Sequence, residues 1–206
     1  MSRKSVFITG AAAGIGRAIA KLFAANGFFV GLYDVDETGL KALARELGEH
    51  HTYSGRLDVV APEEWSRALA AFMQRAERLD VLINNAGILV SGPMENTALI
   101  KFAVRGLTEA LDLEWQDDGI RVMDVLPLFV KTAMVDNMNA GSLRSMGVHL
   151  TPEDVAKTVW QAARYQGKLP KVHWTVGFQP RLFLRPGWQV PDFVTRFINS
   201  RLASAH

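Results

Sequence analysis

Thr9-Gly10-Ala11-Ala12-Ala13-Gly14-Ile15-Gly16 is the stretch whose reading decides the fold. It follows the apolar run Ser5-Val6-Phe7-Ile8 and opens a helically periodic run from Ile15 to Phe23. Strand, glycine turn, helix is the setting a dinucleotide site requires. Glycine lets the turn take backbone angles closed to other residues, and it removes the Cβ that would keep a bulky anion away. The helix that starts here aims unpaired N–H groups and its positive dipole end at that anion. Gly10, Gly14, Ile15 and Gly16 are therefore candidate cofactor contacts. A tight turn without a ligand is the plainer alternative, because the spacing is G-x-x-x-G-x-G and not G-x-G-x-x-G. Arg17-Ala18 after Gly16 exclude a G-x-x-x-x-G-K-[ST] phosphate loop. The position directly after the first strand favours the nucleotide.

The 206 residues fit a single domain, and with 49% apolar residues a sizeable core is available. Net charge is +2 and no basic stripe carries interleaved aromatics, so nucleic acid is not an expected partner. With no cysteine there is no disulfide, thiolate metal site or thiol nucleophile. The five histidines show no ligand spacing, so no metal is expected. No apolar run is long enough to span a bilayer, and the first strand begins at once, leaving no room for a signal peptide. The expected compartment is the cytoplasm.

Beyond the first helix, Phe28 to Tyr33 is a continuous apolar run, as in strands buried on both faces of a parallel sheet. It ends at Asp34, about 20 residues past the turn, where a carboxylate can accept both hydroxyls of an adenosine ribose and repel a 2′-phosphate. Asp34 could instead cap the next helix, Glu37 to Leu47, but Asp36 is available for that. No Arg or Lys follows Asp34 directly or precedes Gly14, so NAD is expected over NADP. A third strand from Thr52 to Leu57 ends at Asp58, a candidate partner for the adenine amino group or a cap. Pro62-Glu63-Glu64 begins another helix. Leu79 to Ile83 is a fourth strand, running into Asn84-Asn85-Ala86-Gly87.

With this tetrapeptide the chain resembles the short-chain dehydrogenase/reductase family, of the classical type. Thr9-Gly10-x-x-x-Gly14-Ile15-Gly16, Asp58-Val59 and Asn84-Asn85-Ala86-Gly87 stand in family order and at family spacing. The resemblance covers about Ser5 to Thr132 and, more loosely, the helix after Thr151. It implies a nicotinamide-dependent oxidoreductase on an α/β, Rossmann-like doubly wound parallel sheet with helices on both faces. The asparagine amides can tie neighbouring strands together. Asn85, Ala86 and Gly87 would then flank the cofactor, with Ala86-Gly87 keeping the backbone bare where it passes.

The chain then departs from the pattern. Lys101-Phe102-Ala103-Val104-Arg105-Gly106 looks like the stretch after the tyrosine in the family's Tyr-x-x-x-Lys motif, and Lys101 matches the lysine, which holds the nicotinamide ribose and assists catalysis. Thr97 stands where the tyrosine belongs. The helix and strand that carry a structural asparagine and the catalytic serine are absent too, a deficit of on the order of fifty residues. Hydride transfer at a carbinol carbon needs a proton donor or acceptor at the oxygen. Tyr33, Tyr53, Tyr165 and Ser91 do not fit that role by position. Three explanations compete: a segment between Ile100 and Lys101 is omitted from this sequence, the protein is a non-catalytic relative, or the acid comes from elsewhere. Local consistency on both sides of the junction favours omission.

The helix from Lys101 to Trp115 has more than one apolar face. One must cover the sheet. The second suggests packing on another helix, and the resemblance implies a homodimer or homotetramer through it; burial within the monomer is the alternative. After the strand Ile120 to Leu126, Pro127-Leu128-Phe129-Val130-Lys131-Thr132 resembles the family's Pro-Gly-x-Val-x-Thr, which implies nicotinamide contacts at Val130 and Thr132. Leu128 replaces the glycine. Residues 133–150 read as a substrate lid or an ordinary surface loop. Thr151-Pro152-Glu153-Asp154 starts a helix, and Lys171 to Val176 reads as a last strand. Residues 178–206 read as a basic amphipathic tail that packs on its own domain or on a partner subunit, lines an apolar substrate site or, less in keeping with the rest, touches a membrane surface. The whole reads as an NAD-dependent oxidoreductase acting on an apolar alcohol, ketone or aldehyde. The alternative is an NAD-binding sensor or partner subunit that lacks the Ser/Tyr pair.

Overall fold

The computed structural model describes residues 3–87, 94–127, 130–131, 150–167 and 171–177. Its first half alternates as expected: β1 (Ser5–Thr9), α1 (Gly14–Ala25), β2 (Phe29–Asp34), α2 (Glu37–Leu47), β3 (Thr52–Arg56), α3 (Pro62–Ala76) and β4 (Val81–Ile83). These strands form a parallel sheet in the order β3-β2-β1-β4. The order reverses at β1, so the crevice at the C-terminal ends of β1, β2 and β4 is the place where such sheets receive ligands.

Both faces of this sheet are covered. Val6, Ile8, Val30 and Leu32 pack under Ile19 and Phe23 of α1 and Leu40 and Leu43 of α2. On the other face Phe7 and Tyr33 stack at 4.0 Å beneath Phe72 of α3. Gly31 makes room there, since a Cβ at that position would lie 2.7 Å from the Phe72 ring. These side chains alternate along β1 and β2, which is why both strands read as unbroken apolar runs.

The second half holds α4 (Met94–Trp115), β5 (Asp124–Leu126), α5 (Pro152–Ala163) and β6 (His173–Thr175). β5 and β6 pair only with each other, as a separate parallel sheet. α5 links the halves. It packs along α1, with Trp160 edge-on against Phe23 at 5.0 Å, and its Val155 joins Val130 and Val176 in a small core. β4, β5 and β6 are each shorter than their apolar runs predict. Among the described residues β4 has a partner on one side only, and Leu82 is 44% exposed.

α4 also differs from expectation. It runs unbroken through Ile100 and Lys101, beginning at Met94 and not at Lys101. Its side chains are described from Ala103 onward, and among these only Thr108 is buried, while Val104, Leu107 and Leu113 are 46%, 60% and 68% exposed. Among the described residues, Val104, Leu107 and Leu113 are thus left uncovered, while Glu109 on the neighbouring face meets His173 of β6 at 2.7 Å.

The start of α5 follows the sequence closely. Thr151 Oγ1 accepts from the Asp154 N–H at 3.3 Å, and Asp154 Oδ2 accepts from the Thr151 N–H at 3.0 Å. Thr151→Ala should lower stability by about 1 kcal/mol in urea titration. The bonds donated to the Asp154 carboxyl by the Thr151 backbone N–H and by the Thr151 hydroxyl, the latter also at 3.0 Å, hold it below its ordinary value. A depressed folded-state value means the contribution is full above the unfolded value and fades as pH falls through the folded one. The stability gap between wild type and Thr151→Ala should accordingly narrow, by the share of the hydroxyl-to-carboxylate bond, on acidification below about pH 4.

Candidate functional site

The crevice is built from the ends of four strands. Thr9 closes β1, and its hydroxyl accepts the backbone N–H groups of Asn85 and Ala86, both at 3.0 Å. Asn85 reciprocates: its Nδ2 donates to the carbonyls of Thr9 at 3.1 Å and Gly10 at 3.2 Å. The segment after β4 is thus tied to the glycine turn by side chain and main chain. Asn84, read from sequence as a second tie, is exposed, and Asn85 does the tying.

The glycines serve distinct needs. Gly10 and Gly14 have φ of +67° and +53°, a region that disfavours a side chain. Gly10 also lies so close to the Asn85 segment that a Cβ would sit 2.8 Å from Nδ2, and a Cβ on Gly16 would sit 2.1 Å from the Gly10 carbonyl oxygen. A Cβ on Gly87 would meet nothing within 4 Å, so that backbone borders open space.

α1 begins without a side-chain cap: Ala13 holds the N-cap position and no acid stands in the first turn. Its leading N–H groups suit an anion. Asp34 closes β2 beside the same turn. Its Oδ2 accepts from the Ala12 N–H at 3.0 Å and its Oδ1 from the Asp36 N–H at 3.0 Å. It does not cap α2, because Asp36 takes that role through the Gly39 N–H at 3.0 Å. An anion-seeking helix end and a fixed carboxylate at one turn fit the two ends of a dinucleotide's adenylate half, a phosphate and a ribose diol.

Asp58 lies at the next strand end, where its Oδ1 accepts from the Val60 N–H at 3.2 Å and its own N–H goes to Glu64 at 2.8 Å. That backbone bond, with Arg56 beside it, holds the Glu64 carboxyl below its ordinary value. In this geometry Asp58 shapes the turn before α3. Val130 is buried against Val155 and Val176, and Ile15 of the turn packs on the same cluster, which brings Val130 to the glycine-turn side of the molecule. Lys101 lies on α4, and its side chain is outside the described residues, as are Ser91, Thr132, the lid residues 133–149 and the tail 178–206.

The tyrosines stand elsewhere. Tyr33 is buried beneath α3 with its hydroxyl donating to the Ala68 carbonyl at 3.0 Å, and burial drives its phenol far above the ordinary value. Tyr53 packs edge-on against it, and Tyr165 packs against Trp174. None joins the Thr9–Asn85 cluster. A groove of about 310 Å³ beside Tyr53, Arg56 and Arg67 lies on the α3 side, not at the glycine turn. Sequence reading passed over two contributors: the Thr9 hydroxyl, signalled only by a polar residue closing an apolar strand, and the Ala12 N–H, which no side-chain pattern marks. Among the described residues no group of His, Asp and Glu could hold a metal ion, and no helix is long and apolar enough to cross a membrane.

The short chain dehydrogenase family model matches residues 4–99 and 100–143, two pieces that abut in this chain. A 3-beta-hydroxysteroid dehydrogenase of Comamonas testosteroni is 39% identical over 100 residues, covering 48% of this chain and 39% of that protein. The chain thus spans well under half the length of that relative. A 3-alpha-(or 20-beta)-hydroxysteroid dehydrogenase of Mycobacterium tuberculosis strain H37Rv is 30% identical over 187 residues, covering 65% of this chain and 71% of that protein. Since 65% of 206 residues is about 134, some fifty of the 187 aligned positions have no residue here. Among solved structures, a short chain dehydrogenase from Burkholderia cenocepacia J2315 in complex with NADP superposes with a TM-score of 0.76 at 22% identity, over 85% of this chain and 96% of that one. The match runs through the turn, the acid after β2 and the Asn85 clamp, the same parts that build the crevice, and on that ground this chain is a member of the short-chain dehydrogenase/reductase family.

Proposed function

We propose that the protein is an NAD-dependent oxidoreductase that moves hydride between nicotinamide and an alcohol or carbonyl substrate. The observation that carries this reading is the glycine turn that leads into the uncapped start of α1 and whose Ala12 N–H holds the Asp34 carboxylate of β2 beside it. Gly10, Gly14, Ile15 and Gly16 would cradle the pyrophosphate, Asp34 the adenosine ribose, and Asp58 the adenine edge. Asn85, Ala86 and Gly87 would border the cofactor, with Val130 and Thr132 at the nicotinamide and Lys101 at its ribose. Nicotinamide supplies the hydride acceptor or donor. The substrate we favour is an apolar cyclic secondary alcohol or its ketone, because the two relatives above are named for hydroxysteroids. A cytoplasmic setting belongs to the same reading.

The proton donor belongs to a unit of about fifty residues that this sequence lacks between Ile100 and Lys101. Three observations support its omission. The family match breaks within a residue of that junction, the aligned relative has about fifty unmatched positions, and among the described residues β4 pairs on one edge while β5 and β6 form a sheet of their own. One observation favours the second reading, an NAD-binding sensor or partner subunit without turnover: α4 is unbroken and carries Thr97 four residues before Lys101. NADH titration beside turnover on a panel of secondary alcohols and ketones separates the two. In the protein that carries that unit, NADH binding with turnover supports the enzyme, binding without turnover leaves the sensor, and absence of binding removes both. Asp34→Ala should weaken NADH at least about tenfold and NADPH less, through loss of the ribose diol contact. A wild-type protein that prefers NADPH contradicts the role given to Asp34.

We also propose that a second copy covers α4. Val104 and Leu107 stand exposed on it at helical spacing, and Gly106 leaves open space for close approach. Leu107→Glu should convert a dimer to a monomer in analytical ultracentrifugation. A wild type that is monomeric at high concentration contradicts this.

A further inference from the structure

Ala12 is gripped from both sides. Its N–H donates to Asp34, and its carbonyl accepts from Arg17 Nη1 at 3.4 Å. The other guanidinium nitrogen, Nη2, is held by Glu46 Oε2 at 2.7 Å. Glu46 sits in the last turn of α2, and its second oxygen takes Lys21 Nζ at 2.6 Å. One acid therefore engages two cations of α1, and only the backbone of one residue separates the nearer cation from Asp34. Bonds from Lys21 and Arg17 hold the Glu46 carboxyl below its ordinary range, so it is charged at neutral pH.

Resting on the NAD-binding reading above, we infer that Glu46 is a positioning residue for dinucleotide choice: by holding Arg17 against the Ala12 carbonyl, it keeps that guanidinium from serving a 2′-phosphate at the ribose site. Discrimination against the phosphorylated dinucleotide then has two parts. Asp34 repels the phosphate directly, and Glu46 occupies the one guanidinium that, among the described residues, touches the turn. The side chains involved are a third to nearly half exposed, so they can rearrange without unfolding α1 or α2. The same exposure limits the effect, because solvent and salt screen such pairs.

The test is equilibrium titration of NADH and NADPH with wild type, Glu46→Gln, Arg17→Gln and the double variant, at low and high salt. Glu46→Gln should tighten NADPH about fivefold while NADH moves less than about twofold. In the Arg17→Gln background the same substitution should leave NADPH within about twofold, because the released cation is gone. Added salt should shrink the gain. A general loosening of the turn would instead move both dinucleotides together, and that result overturns the inference. So does a gain of equal size in the absence of Arg17, or no gain at all in Glu46→Gln while wild type binds NADH normally. Wild type that binds neither dinucleotide overturns the NAD-binding reading and this inference with it.

Discussion

Gly16→Ala should abolish measurable NADH binding and cost about 3 kcal/mol of stability. The added methyl would sit 2.1 Å from the Gly10 carbonyl oxygen and 2.6 Å from Asn85 Nδ2, and the first of these is backbone that cannot swing aside. To make room, the turn must move away from the Asn85 segment. That sacrifices the paired bonds from Nδ2 to the Thr9 and Gly10 carbonyls, and it shifts the N–H groups at the head of α1. With the pyrophosphate over that helix end, affinity should fall more than about a hundredfold, near 3 kcal/mol. Urea unfolding and NADH titration of the same preparation check both halves. The contrast is Gly27→Ala: a Cβ there would meet nothing within 4 Å, so its cost comes from φ of +83° alone, and NADH binding should stay near wild type.

The second large effect concerns catalysis. Insertion, between Ile100 and Lys101, of a helix-plus-strand unit of roughly fifty residues from a relative of the family should create turnover, and the 206-residue chain by itself is expected to show none. It should also raise thermal stability, because a strand beside β4 would cover Leu82 and give α4 a surface to lie on. Thr97→Tyr alone should not create turnover. A tyrosine at that place on the helix supplies a phenol but neither the serine that the resemblance assigns to the substrate oxygen nor the strand that would hold the helix against the crevice. In the inserted protein, Lys101→Met should lower turnover about a hundredfold, the size expected for a group acting on proton transfer. Turnover by the 206-residue chain itself would contradict this account, because it would require an acid from a place that neither sequence nor structure marks.

Much of the first half was legible in the sequence because its signals are local. The glycine turn, the apolar runs at Phe28 to Tyr33 and Ser5 to Ile8, and the Pro62 and Thr151 helix starts each depend on neighbours a few residues away. The choice between Asp34 and Asp36 as the cap of α2 also came out as the spacing suggested, with Asp36 on the Gly39 N–H. The second half read less well because its elements depend on partners far along the chain. β4, β5 and β6 each form over fewer residues than their sequences suggest, and among the described residues each has one neighbour and only three residues enter a ladder. α4 shows the same limit: its periodicity predicts a covered face, but nothing in a helical pattern reveals whether the strand it was written for is present. At the site, acids at strand ends were easy to mark. Hydrogen bonds made by main-chain N–H groups, such as Ala12 to Asp34, left no mark, because every residue but proline carries one.

The measurement that bears most directly on the central claim is a fluorescence titration of NADH with the purified 206-residue chain. Saturable, one-site binding that is lost in Gly16→Ala and weakened in Asp34→Ala is the predicted result. Absence of NADH binding by a folded chain would contradict it.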